Sequence, residues 1–286
     1  MRKIIYSIKD SLSGILSYLS IRSIINYSVG KGRNIRYTEK EARQNFKKHG
    51  LDPTDSEVFH QFKTNGFVKI PALDAEMVTR LRTLIEENGI YSFLGNTSRL
   101  IDDPLFRGVK PDYKSLDVTA VLDEDSLVKL IPQNIKAIAE SHLNMSLGIN
   151  FVSVYKTFAR NLSTYPRSGD YVSFAWHFDN SGYKSIKLMY LLTDVQDIYD
   201  GPLELKTSGK RYRTLLPGLG NSRLYFLDVT DPSSVIQFTG SAGSGAMFDP
   251  ACGHRGGSSV KNDRTVVVIE LAPASINKQK KQCGAI

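Results

Sequence analysis

The 286-residue chain is 41% hydrophobic and 23% charged, the balance of an ordinary folded protein, which excludes a disordered chain. Its net charge of +8 lies entirely in residues 1–50, where 11 Lys or Arg stand against Asp10, Glu39 and Glu41; residues 51–286 hold 26 charges of each sign. A nucleic-acid-binding body is therefore not expected, and the two cysteines, Cys252 and Cys283, exclude a disulfide framework and suit a reducing cytoplasm.

In chain order, residues 1–29 predict a basic amphipathic helix, with Ile4, Ile5, Ile8, Leu12, Ile15, Leu16 and Leu19 along one face. Lys9 and Asp10 interrupt the apolar run, so neither a membrane span nor a signal peptide is expected. Two readings of this helix stand: it packs on the folded body or a partner subunit, or it makes a peripheral contact with a membrane surface. After Gly30 to Asn34 as a connector, Thr38-Glu39-Lys40-Glu41 opens a short polar helix that ends near Gly50. A further helix stops at Gly66, with 67–70 as a strand, and Asp74 caps a helix carrying Met77, Leu81, Leu84 and Ile85 up to Asn88-Gly89. Residues 91–114 read as a long irregular loop, and 127–143 as helix interrupted near Pro132.

Beyond Asn150 the texture changes to short β-type runs at 151–158, 171–178, 186–192, 203–206, 223–229, 235–238, 245–248 and 265–271, which favours an all-β barrel or sandwich after a helical start. The organisation predicted is a basic helical arm (1–50), a catalytic domain (51–273) and a disordered tail (274–286).

The chemistry concentrates in Trp176-His177-Phe178-Asp179-Asn180 and in Cys252-Gly253-His254-Arg255-Gly256. Alternation along a strand points His177 and Asp179 to one side, and His254 supplies a second imidazole from a later strand. Two His and one carboxylate with open positions form the ligand set of non-haem Fe(II) oxygenases. Arg264, ten residues after His254, can pair bidentately with a carboxylate. His49, His60 and His142 read as surface or packing residues, Cys252 as a packing residue and Asn180 as an orienting neighbour of Asp179.

The ordered set Phe62-Lys63-Thr64-Asn65-Gly66-Phe67, Trp176-His177-Phe178-Asp179, Leu188-Met189-Tyr190-Leu191, Asp200-Gly201-Pro202-Leu203, Gly245-Ala246-Met247-Phe248-Asp249, His254-Arg255-Gly256 and Arg264 resembles the phytanoyl-CoA dioxygenase family. The resemblance implies an α+β fold with a double-stranded β-helix (jelly-roll, cupin-like) core. It implies Fe(II) held by His177, Asp179 and His254, 2-oxoglutarate anchored by Arg264, dioxygen as oxidant and ascorbate as reductant. Lys156, Lys187, Tyr190 and Trp176 are expected to line the co-substrate pocket. The activity implied is hydroxylation of a small-molecule or carrier- or lipid-linked biosynthetic intermediate, with 2-oxoglutarate decarboxylated to succinate. Asp179 matters here because related halogenases lack the carboxylate. The sequence departs from the family pattern at Leu205 to Lys210, where a Gly-Ser-His segment is common, which leaves the substrate-side loop open. The alternative is a non-catalytic metal- or sugar-binding β-helix module held at a membrane by its N-terminal helix.

Overall fold

The computed structural model describes residues 53–92, 113–159, 176–179, 184–206, 222–223, 234–257 and 259–274. The N-terminal helices expected before residue 51, Asn180 and the tail beyond Ala274 lie outside these residues. Among the described residues no helix is long and apolar enough to cross a membrane.

Helix α1 (Pro53–Asn65) ends at Gly66, whose φ of +70° is a conformation that side chains rarely adopt, and strand β1 (Phe67–Ile70) follows. Helix α2 (Ala75–Asn88) begins at Asp74, whose carboxylate accepts the Met77 N–H at 2.7 Å, and it buries Met77, Val78, Leu81 and Ile85. The expected irregular stretch is ordered at both ends, as β2 (Ile90–Ser92) pairs with β3 (Tyr113–Asp117). Lys114 hides that strand in the sequence. It is buried by reaching across to α2, where its Nζ donates to the Glu86 carbonyl at 2.6 Å.

The region 127–143 divides into α3 (Glu124–Leu130) and α4 (Gln133–Leu143), because Pro132, with φ −53° and ψ 136°, cannot continue the first helix and precedes the second. Asn144, left-handed at φ 54°, stops α4.

The β-core comprises β4 (Leu147–Thr157), β5 (His177–Phe178), β6 (Ile186–Leu191), β7 (Leu203–Lys206), β8 (Ser222–Arg223), β9 (Val235–Phe238), β10 (Gly245–Phe248), β11 (His254–Gly256) and β12 (Arg264–Pro273). Two antiparallel sheets result, ordered β1-β10-β6-β12-β4-β3-β2 and β8-β5-β11-β7-β9. They form a jelly-roll core.

One face of the larger sheet packs on the helices. Val152, Val154, Ile186, Leu188, Tyr190, Val267 and Ile269 join Phe59, Leu81, Ile85, Leu130 and Ile138 in a single apolar cluster. The opposite face, with Leu191, Phe248, Val266 and Val268, meets Leu203, Leu205 and Phe238 of the smaller sheet. Coverage on both faces explains why β12 reads Thr-Val-Val-Val-Ile without alternation. It also sets a parity rule. Even-numbered residues 264–270 of β12 face the interior, and odd-numbered ones face the helices.

Candidate metal centre

The short strands β5 and β11 carry the site. His177 and His254 are direct register partners, and their ring centroids lie 4.3 Å apart. Asp179 follows β5, and its backbone N–H donates to the Pro250 carbonyl at 2.8 Å. This bond ties the chain after β5 to the loop that leads into β11. Donor atoms of His177, Asp179 and His254 all fall within 4.8 Å of one another, and both His residues are buried. Asp179 Oδ1 lies 3.7 Å from His177 Nε2 and 3.9 Å from His254 Nε2.

Protonation suits ligation. His254 Nδ1 sits 2.9 Å from the Cys252 carbonyl, which places the proton on Nδ1 and leaves the Nε2 lone pair facing Asp179. Burial, followed by the adjacent His177, lowers the His254 pKa to about 4, so its imidazole is neutral. Burial opposes ionisation of Asp179, but the adjacent Lys187 ammonium outweighs it and holds the carboxyl below its ordinary range. The neutral His254 nitrogen, the His177 imidazole and one anionic oxygen thus converge, a donor set that fits Fe(II).

The loop before His254 is held from outside the core. Asp249 N–H donates to the Gly66 carbonyl at 2.8 Å, His142 Nε2 lies 3.5 Å from Asp249 Oδ2, and the Cys252 side chain presses on Gly66 so closely that a Cβ there would overlap its sulfur. Pro250 and Cys252 act through backbone carbonyls, which leave no trace in side-chain identity. His142, which the sequence reads as a surface or packing residue, is drawn into this clamp.

The other expected site residues divide by strand parity. Arg264 opens β12 on the interior face, and its buried Nε finds no hydrogen-bond partner among the described residues. Burial lowers its pKa to about 10, so it remains a cation at neutral pH. An interior guanidinium with an unpaired buried donor fits an anionic ligand. Lys187 is also interior, and its Nζ contacts Asp179 Oδ2.

Tyr190 and Lys156 stand on the other side of the sheet. The Tyr190 hydroxyl donates to the Leu130 carbonyl at 2.9 Å beneath α3, and burial pushes its pKa up. Lys156 pairs with Glu86 at 2.6 Å and lies 3.8 Å from Asp263. The structure brings neither to the triad. Trp176 is buried with the Arg255 guanidinium 5.1 Å from its ring centre, and Arg255 is paired with Glu204. Arg255 and Glu204 are register partners on the face of the smaller sheet opposite His254.

No family model matches the chain, and no curated protein does. Solved structures do. The non-haem α-ketoglutarate-dependent epimerase SnoN from nogalamycin biosynthesis, also solved with Fe3+ and α-ketoglutarate, superposes at TM-score 0.54 with 16% identity over 78% of this chain and 85% of its own. AviO1 from Streptomyces viridochromogenes Tue57 gives 0.51 and 16% over 77% and 96%. The α-ketoglutarate-dependent carbocyclase SnoK gives 0.51 and 14% over 76% and 83%. The fold is one that non-haem α-ketoglutarate-dependent enzymes use. At such identities the likeness establishes the fold alone, and the triad has to argue the chemistry for itself.

Proposed function

We propose that the protein is an Fe(II)- and 2-oxoglutarate-dependent dioxygenase that hydroxylates a small-molecule or carrier- or lipid-linked biosynthetic intermediate. The observation that carries this reading is the convergence of two imidazoles and one carboxylate at the meeting of β5, β11 and the start of β6. In the resemblance to the phytanoyl-CoA dioxygenase group these same three residues hold iron, and the neighbours' dependence on α-ketoglutarate supports the co-substrate.

His177 and His254 would ligate through Nε2, and Asp179 through Oδ1. The Arg264 guanidinium, whose buried Nε has no partner among the described residues, would receive the distal carboxylate of 2-oxoglutarate. When bound, iron and 2-oxoglutarate supply the dioxygen-dependent oxidation of a C–H bond, coupled to release of succinate and carbon dioxide. The chain's own part is to fix the Nδ1–H tautomer of His254, keep Asp179 anionic and surround the centre with apolar walls. Phe248, whose ring lies 5.4 Å from His254, supplies such a wall. Epimerase and carbocyclase neighbours show that this fold carries outcomes besides hydroxylation. Asp179 supports hydroxylation over halogenation, since it fills the place a halide would need.

Purified protein given Fe(II), ascorbate, 2-oxoglutarate and air is expected to release succinate slowly even without its substrate. His254→Ala should abolish metal binding by calorimetry. Arg264→Ala should retain the metal and weaken 2-oxoglutarate about 10- to 100-fold, the worth of a lost charge-assisted bond. Full activity in His254→Ala would remove the triad assignment.

A further inference from the structure

Lys187 stands closer to the metal centre than a co-substrate ligand requires. The two oxygens of Asp179 have different neighbours. Oδ1 faces both imidazole Nε2 atoms, at 3.7 and 3.9 Å, while Oδ2 accepts from the Lys187 ammonium. Lys187 reaches it from the first turn of β6, where register pairs it with Phe248 of β10 on one side and Glu270 of β12 on the other. Glu270 faces the interior at 3% exposure, and Asn150 Nδ2 donates to its carboxylate. One buried ammonium therefore pairs directly with Asp179 and has the Glu270 carboxylate as its neighbour across the strand pair.

We propose that Lys187 is a positioning residue of the metal centre: it occupies Asp179 Oδ2 so that only Oδ1 is offered to the metal. The inference rests on reading the triad as a metal centre. Its consequence is stoichiometric. Two imidazoles and one carboxylate oxygen leave an octahedral ion room for a bidentate co-substrate and for dioxygen. A second carboxylate oxygen would take the position dioxygen needs. Removing the ammonium frees Oδ2 for that role and leaves Asp179 and Glu270 as mutually repelling charges in the barrel interior.

Cobalt(II) titration of the metal-free protein, in the absence of 2-oxoglutarate, tests this by calorimetry and by the ligand-field absorption of the bound ion. Lys187→Met is expected to shift the cobalt(II) dissociation constant about 10- to 100-fold, the usual effect of removing a group that orients a metal ligand, and to change the ligand-field spectrum to that of a centre with an added carboxylate oxygen. Lys187→Arg should recover most of the affinity and the wild-type spectrum.

Circular dichroism establishes that each variant is folded. Lys187→Gln, which keeps a donor without the charge, is read in the same way if the methionine variant does not fold. A wild-type cobalt(II) affinity and spectrum in Lys187→Met would overturn the proposal. If 2-oxoglutarate affinity alone fell, Lys187 would be a co-substrate ligand instead. Failure of the wild-type protein to bind cobalt(II) is a different result, and it removes the metal centre itself.

Discussion

At the scale of single residues, strand parity decides which polar side chains face the triad's side of the sheet. Along β6, Lys187 points inward and Tyr190 outward, though three residues separate them and both lie in a run that reads as core. Tyr190→Phe should cost about 1 kcal/mol of stability, because the Leu130 carbonyl loses its buried donor. It should leave the 2-oxoglutarate dissociation constant unchanged, as calorimetry and a denaturant melt would show together. A weakened co-substrate would place Tyr190 in the pocket after all. Gly66 is the other informative position. Its φ of +70° and its contact with Cys252 predict that Gly66→Ala costs about 1–3 kcal/mol. The strain bears on the loop whose carbonyls hold Asp179 and His254, so cobalt(II) affinity should fall with stability. Stability falling with metal affinity intact would detach the clamp from the site.

Secondary-structure elements show where local chemistry suffices. Asp74 and Asp123 begin their helices with side-chain caps, and Pro132 divides α3 from α4, all from short-range signals. Asp123 accepts from Ser126, side chain and backbone, and from Arg80, and these bonds lower its pKa to about 2. A carboxylate depressed in the folded state supports stability above its unfolded value near 3.9 and loses that support as pH falls toward 2. Asp123→Ala should therefore flatten the acid limb of a stability-against-pH curve between about pH 4 and 2, and an unchanged limb would mean the cap contributes nothing. The strands that carry the triad behave otherwise. With two residues in β5 and three in β11, neither has enough hydrogen bonds to form alone, and each depends on its sheet neighbours and on the Gly66 clamp.

For the whole molecule, the triad joins segments far apart in the chain, and bound metal should tie β5, β11 and the start of β6 together. Nickel(II) with 2-oxoglutarate, each at about 100 times its dissociation constant, should raise stability by at least about 2.7 kcal/mol. That corresponds to a melting-temperature rise of roughly 5–10 °C, reversed by a chelator. No shift would mean that the described site does not take the pair.

Much of this was legible in the sequence. His177, Asp179 and His254 stood out through residue type and strand alternation, Arg264 through its place at the head of a strand, and the run of short β segments after Asn150 pointed to a barrel or sandwich, the jelly-roll being what the family resemblance implied. The Asp74 cap and the Gly66 stop followed from local backbone chemistry. Other features needed the folded chain. Lys156 and Tyr190 turn toward the helices, Lys114 hides a strand by reaching to Glu86, and Lys187 takes Oδ2 of Asp179. Residue type and periodicity are properties of a segment and can be read along it. The face a strand residue occupies, and the charge that meets it there, depend on sheet register and on contacts between residues distant in sequence, which exist only once the two sheets have closed.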